Sequence, residues 1–212
     1  MTLLTIFFRM SIRGAIMTTE LEIEYKNLLQ LSEYAHLTQF FRNNLTRSIT
    51  QTNVYFDTCD HSLKQHKAGL RLRLLEEKTE LTLKWPTESE DAYLEYTDVL
   101  PPMSAKDSHV LALHFPEKSL VWKKLTEELI PTDNLLNIGA LTTHRQEYQL
   151  RHDILMVLDE SHYFGKTDYE LEMEVTDAKS GKDYFDAFLT THNLTRIPAQ
   201  KKIARMMAQR NK

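Results

Sequence analysis

A single cysteine, Cys59, stands in 212 residues. It excludes an internal disulfide and any cysteine-built zinc site, and it fits a reducing, cytoplasmic setting. Glycine-loop phosphate motifs of the GxxxxGK[ST] and GxGxxG kinds are both missing, so phosphate cannot be held here by a glycine cradle. HExxH is missing as well, and the nine histidines form no ligand spacing; His61 and His66 are expected as solvated residues of a surface helix. There is no excess of basic charge. With 26 Lys and Arg against 30 Asp and Glu, the net charge of -4 offers no general field for nucleic acid. Apolar runs are also too short to cross a bilayer, so no membrane partner is expected.

Residues 1–16 (MTLLTIFFRMSIRGAI) are apolar and free of acids, with Arg9 and Arg13 after the apolar run rather than before it, the wrong order for a secretory signal. The organised pattern begins at Thr18. We therefore expect residues 1–17 to be a dispensable extension and residues 18–210 a single domain.

Two acidic segments dominate the rest: Glu20-Leu-Glu-Ile-Glu-Tyr-Lys26 and Tyr169-Glu-Leu-Glu-Met-Glu-Val175. Charge at every second position is the period of a β-strand with one apolar and one charged face. Each charged face is unmixed, Glu20, Glu22 and Glu24 on one and Glu170, Glu172 and Glu174 on the other. In-line like charges repel, and glutamate is a poor strand former, so a bound cation is the simplest compensation.

The opposite sign appears in Leu70-Arg-Leu-Arg-Leu-Leu75 and Leu81-Thr-Leu-Lys-Trp85, read as a hairpin with Arg71, Arg73 and Lys84 away from the leucines. Further strands are expected over Thr46–Asp57, Tyr93–Leu100, Leu141–Leu150 and Ile154–Asp159. Helices are expected over Ser32–Arg42, over His61–Lys67 with a cap from Asp57–Asp60, from Ala105 to Leu129, over Lys182–Leu194 and over Gln200–Arg210. Tyr55, Phe56 and Tyr93 are expected in the core.

About eight strands in mostly hairpin order, with helices between and after them, suggest an α+β fold built on a closed antiparallel β-barrel or a strongly curved sheet, and the closed form puts the helices outside and the charged face inside. Its lumen would carry Glu22, Glu24, Glu95, Asp159, Glu170, Glu172 and Glu174 together with Lys26, Arg71, Arg73, Lys84, Arg145, Lys202 and Arg205. Such a lumen must be wet or liganded, because unpaired buried charge is too costly. Converging acids would also repel in the metal-free protein, so neutralising Glu24 or Glu172 is expected to raise its melting temperature.

These elements together, Glu22-x-Glu24-x-Lys26, Tyr55-Phe-Asp-Thr58, Gly69-Leu-Arg-Leu-Arg73, Leu81-Thr-Leu-Lys84, Asp159 with Glu170-x-Glu172-x-Glu174, and Lys202-Ile-Ala-Arg205, resemble the CYTH or triphosphate tunnel metalloenzyme family, nearest its bacterial phosphatases. The resemblance implies a tunnel fold holding a triphosphate among basic side chains and a divalent metal, Mg²⁺ or Mn²⁺, among carboxylates. It implies Lys26, Arg71, Arg73, Lys84, Arg145, Lys202 and Arg205 as substrate contacts and Glu22, Glu24, Asp159, Glu170, Glu172 and Glu174 as metal ligands, with Glu22, Glu24, Lys26 and Glu172 catalytic. Related sequences often carry a basic residue where this chain has Gln200. The implied activity is hydrolysis of the terminal phosphoanhydride of a triphosphate, inorganic triphosphate first, by a monomer or homodimer. Alternatives are a thiamine or nucleoside triphosphatase, a class IV adenylate cyclase, or a noncatalytic polyphosphate- or nucleotide-binding module.

Overall fold

A computed structural model describes residues 8–12, 15–104, 106–109, 115–116 and 118–210. Among the described residues nine strands and five α-helices follow the order β1 (Phe8–Ile12), β2 (Ala15–Leu29), α1 (Leu31–Phe40), β3 (Leu45–Thr58), α2 (Ser62–Gln65), β4 (Gly69–Leu74), β5 (Thr79–Pro86), β6 (Ala92–Leu100), α3 (Leu120–Glu127), β7 (Leu135–Arg151), β8 (Ile154–Tyr163), β9 (Lys166–Val175), α4 (Ala178–Thr191) and α5 (Lys202–Arg210). The sheet order is β1-β2-β6-β5-β4-β3-β7-β8-β9, and β2 also pairs with β9. Strands β2 to β9 thereby close into an eight-stranded antiparallel β-barrel, the form the family resemblance implies, and closure leaves none of them with an unpaired edge. No helix among the described residues is long and apolar enough to cross a membrane.

The chain forms two compact units. Of the described residues, the first comprises 22–51 and 142–210, and the second those within 8–21 and 52–141. In the first, one face of the strands carries Tyr25, Leu29, Tyr148, Met156, Leu158, Leu171 and Met173, which pack on Tyr34 and Leu37 of α1 and on Phe185, Phe188 and Leu189 of α4. Because side chains alternate along a strand, the same residues that fill this core force Glu24, Lys26, Asp159, Glu170 and Glu172 to the opposite face. Gly181 lets α4 lie close to β9: a Cβ there would fall 2.5–2.9 Å from the Val175 side chain. Helix α4 starts at Ala178, earlier than the expected Lys182, because Asp177 caps it by accepting the Ser180 N–H at 2.9 Å.

In the second unit Val54, Phe56, Leu70, Leu72, Leu81 and Leu83 pack on Leu63 of α2 and on Val121 and Leu125 of α3. Asp57 caps α2 as expected, accepting the Leu63 N–H at 2.9 Å. Buried Asp98 of β6 does the same for α3, accepting the Leu120 N–H at 3.0 Å and the Ser119 hydroxyl. Among the described residues of Ala105 to Leu129, the helical reading is met by α3 and by a 3₁₀ turn over Asp107–His109. Leu129 turns left-handed (φ 59°), and Ile130 N–H closes on the Leu125 carbonyl at 2.9 Å, which ends the helix. Residues 105, 110–114 and 117 of that reading lie outside the described residues, as do residues 1–7 and 13–14 of the expected extension.

Tyr55 is buried as expected, but outside the apolar cluster. Phe56 is fully buried in the apolar core, but Tyr55 pairs across from Arg71 and is buried on the charged face of its sheet.

Candidate active site

Strand register assembles the first unit's charges. Lys26 stands opposite Glu172, Glu24 opposite Glu174, Asp159 opposite both Glu170 and Arg145. Arg145 forks on to Asp159, Nε to Oδ1 at 2.9 Å and Nη2 to Oδ2 at 2.6 Å, and Nη2 also reaches Glu172 Oε2 at 2.7 Å. Lys26 Nζ lies 2.9 Å from Glu172 Oε1 and 3.0 Å from Glu24 Oε2. From α5, Lys202 Nζ lies 2.5 Å from Glu172 Oε1, 2.9 Å from Asp159 Oδ2 and 3.1 Å from Glu170 Oε2.

Burial disfavours each of these charges, and the neighbours overcome it. Lys202, Lys26 and Arg145 hold the Glu172 carboxyl well below the usual carboxylate range. Arg145 and Lys202 hold Asp159 down in the same way. Reciprocally, Glu172 and Glu24 keep the Lys26 ammonium protonated far above its ordinary range.

The balance of charge is still negative. Seven carboxylates (Glu22, Glu24, Asp159, Asp168, Glu170, Glu172, Glu174) share this region with four cations (Lys26, Arg145, Lys202, Arg205). Glu170 is fully buried, and its Oε1 has no hydrogen-bond partner; the Lys26 ammonium lies 4.0 Å away. Among the described residues no three acids or histidines stand at metal-ligating geometry, because the ammonium and guanidinium groups draw the carboxylate oxygens to themselves. The donor set nonetheless fits a hard divalent cation: it is all oxygen, carries surplus negative charge and includes one buried oxygen without a hydrogen bond.

Arg205 is placed differently from the other expected substrate contacts. Its Nε donates to Asp168 Oδ2 at 3.0 Å, Nη1 to the Gln200 carbonyl at 2.5 Å, and Nη2 to Glu170 Oε2. Tyr163 donates its hydroxyl to the same Asp168 at 2.5 Å, which, after burial, helps push that phenol up to about 12. Arg205 thus anchors the start of α5 and fixes one oxygen of Glu170. Asp168 drew no attention in the sequence, since it sits before the acidic run; its spacing, two residues ahead of Glu170 on the same face, was the available signal.

The second unit holds its own cluster. Lys84 Nζ lies 2.8 Å from Glu95 and Arg71 3.7 Å from it, and together they overcome burial and hold the Glu95 carboxyl near a pKa of about 2. Arg73 reaches Glu80 at 3.5 Å and donates its Nε–H to the side-chain Oδ1 of buried Asn53 at 3.4 Å, while Lys78 binds Glu80 at 2.6 Å. Glu20 is half-buried, and burial followed by the nearby Glu95 charge raises its pKa. Glu80 and Asn53 escaped the sequence reading because neither repeats along a strand.

A CYTH domain profile matches residues 20–207. The chain belongs to the CYTH domain family. YjbK of Bacillus subtilis (strain 168), provisionally named a triphosphatase, is 33% identical over 196 residues, 92% of this chain and 99% of YjbK. Among solved structures, a Bacillus halodurans protein provisionally named an adenylate cyclase is 30% identical, with a TM-score of 0.76 over 88% of this chain and 97% of its own. HpAC1 from Hippeastrum, described as having a dominant triphosphatase activity, is 23% identical with a TM-score of 0.74, covering 89% of this chain and 95% of that one, and is similar in fold.

Proposed function

We propose that this CYTH protein is a divalent-metal-dependent phosphohydrolase that cleaves the terminal phosphoanhydride of a triphosphate, inorganic triphosphate foremost. The observation that carries the reading is the first unit's site: a net-negative set of carboxylates, with Glu24, Asp159, Glu170 and Glu172 buried, interleaved with cations that pair with them. A triphosphate needs several fixed cations, and a divalent metal needs the acids. The likeness to YjbK adds weight to the same assignment.

In this reading Glu22, Glu24, Asp159, Glu170, Glu172 and Glu174 hold Mg²⁺ or Mn²⁺, which when bound neutralises phosphate charge and lowers the pKa of a bound water. Lys26, Arg145 and Lys202 exchange carboxylate partners for phosphate oxygens, and Arg71, Arg73 and Lys84 keep the role of phosphate contacts on the family resemblance alone. The fork of Arg145 matches two phosphate oxygens at once, whereas each lysine supplies a movable point charge. Glu172 contacts Lys26, Arg145 and Lys202 together and so sets where they stand. Arg205, with its donors spent on protein oxygens, orients Glu170 rather than binding substrate.

The test is phosphate release from inorganic triphosphate, thiamine triphosphate and ATP with Mg²⁺, with Mn²⁺ and with chelator. Metal-dependent release, fastest from inorganic triphosphate, is expected; binding of all three without turnover would overturn the enzymatic reading. The name of the Bacillus halodurans relative makes cyclic AMP formation from ATP the competing outcome.

A further inference from the structure

Lys202 has the surroundings of a bound cation. Its ammonium stands among three buried carboxylates from two neighbouring strands, 2.5 Å from Glu172, 2.9 Å from Asp159 and 3.1 Å from Glu170. Those three acids are among the ones assigned above to the metal. An ammonium and a Mg²⁺ ion cannot share them: the metal needs oxygens at about 2.0–2.1 Å, and the two cations would repel strongly in a partly desolvated space.

The other two cations that contact Glu172, Lys26 and Arg145, are built in more firmly. Lys26 and Arg145 project from strands whose register fixes them opposite Glu172 and Asp159, and Arg145 is further held by its fork. Lys202 is the first residue of α5 and reaches in on a flexible four-carbon stem. Of the three it can leave the carboxylates with the least rearrangement.

Resting on the metal-dependent reading above, we propose that Lys202 is a placeholder for the divalent cation in the substrate-free protein, and that the triphosphate opens the metal site by drawing this ammonium on to its own oxygens. Metal alone must displace Lys202 without giving it a new partner, and binds weakly. With triphosphate present, Lys202 gains phosphate oxygens as it releases Asp159, Glu170 and Glu172, and the metal meets free carboxylates. Part of the coupling between metal and triphosphate is therefore stored in one side chain. A lysine that contacts substrate would, in this arrangement, weaken metal binding in the absence of substrate.

The experiment is Mn²⁺ binding to wild type and Lys202→Gln, followed by electron paramagnetic resonance, with and without inorganic triphosphate at a temperature where turnover is negligible. Without triphosphate, Lys202→Gln is expected to bind Mn²⁺ more tightly by about 5- to 150-fold, the ordinary range of a coupling between two sites. Triphosphate should then tighten Mn²⁺ binding in the variant by a smaller factor than in wild type. Unchanged or weaker Mn²⁺ binding by Lys202→Gln, while wild type still binds Mn²⁺ with triphosphate, would overturn the placeholder and leave the proposed function standing. Failure of wild type to bind Mn²⁺ even with triphosphate would instead overturn the metal-dependent reading, and this inference with it. Should Lys202→Gln prove unstable, its melting temperature is followed in Mn²⁺ and in chelator. A fold kept by Mn²⁺ and lost on chelation is the expected exchange of one cation for the other, and a chain that stays unfolded in Mn²⁺ would overturn it.

Discussion

Glu172→Gln in the metal-free protein tests the electrostatic account of the site directly. Converging carboxylates, taken alone, would repel, and removing one would stabilise the chain. The ion pairs reverse that sign for Glu172, whose two oxygens lie within 2.9 Å of Lys26, Arg145 and Lys202. Its carboxyl is almost wholly buried, so deleting the charge strips three half-buried cations of a partner at once. Breaking a buried pair from one side costs about 3–5 kcal/mol. The low end applies, because Lys26 keeps Glu24, Arg145 keeps Asp159, and Lys202 keeps Asp159 and Glu170. At roughly 2–4 °C per kcal/mol for a chain of this size, ~3 kcal/mol lowers the melting temperature by roughly 6–12 °C. The folded pKa of Glu172 is depressed, so its stabilisation is fully present above the unfolded carboxylate value of about 4.3 and fades as pH falls through the folded value. Thermal melts in chelator at pH 7 should show the full gap between wild type and variant, and melts below pH 4 a smaller one. A variant as stable as wild type at pH 7, or more stable, would refute the reasoning.

Glu22→Gln and Glu24→Gln should keep the fold by circular dichroism and lose metal-dependent phosphate release by about 10²-fold or more, since a carboxamide brings no charge to a divalent ion; wild-type turnover in both would remove β2 from the metal site. Arg73→Ala and Lys84→Ala should weaken triphosphate binding more at low salt than at high salt, because screening already attenuates the wild-type contacts, and calorimetric titration at two ionic strengths reads the difference. In Lys84→Ala the Glu95 pKa should also rise from its value of about 2, read by NMR titration of that carboxyl, since Lys84 is its nearest cation. Gly181→Ala, which would stabilise an ordinary helix by up to about 1 kcal/mol, should here lower the melting temperature by the equivalent of roughly 1–3 kcal/mol, because the new methyl meets the whole Val175 side chain; a higher melting temperature would mean that α4 shifts freely.

The alternation of charge and leucine along β2, β4, β5 and β9 by itself determined which residues share a face, and with that the strands, the apolar cores and most charged residues of the site. Period 2 is a local property, so it survives without knowledge of any partner. The motifs likewise determined the family. Three things were decided only by the tertiary structure. Tyr55 lies on the charged face because β3 continues its alternation past Phe56, and a tyrosine reads as core whichever face it takes. Arg205 and Lys202 look equivalent in sequence, yet the turn of α5 sends one into Asp168, Glu170 and the Gln200 carbonyl and the other among Asp159, Glu170 and Glu172. The sign of the electrostatics at Glu172 was equally out of reach, because a list of acids shows their repulsion while the compensating cations come from β2, β7 and α5. Coulomb energy depends on distances between residues as much as 146 positions apart in the chain, and only strand register and helix docking set those distances.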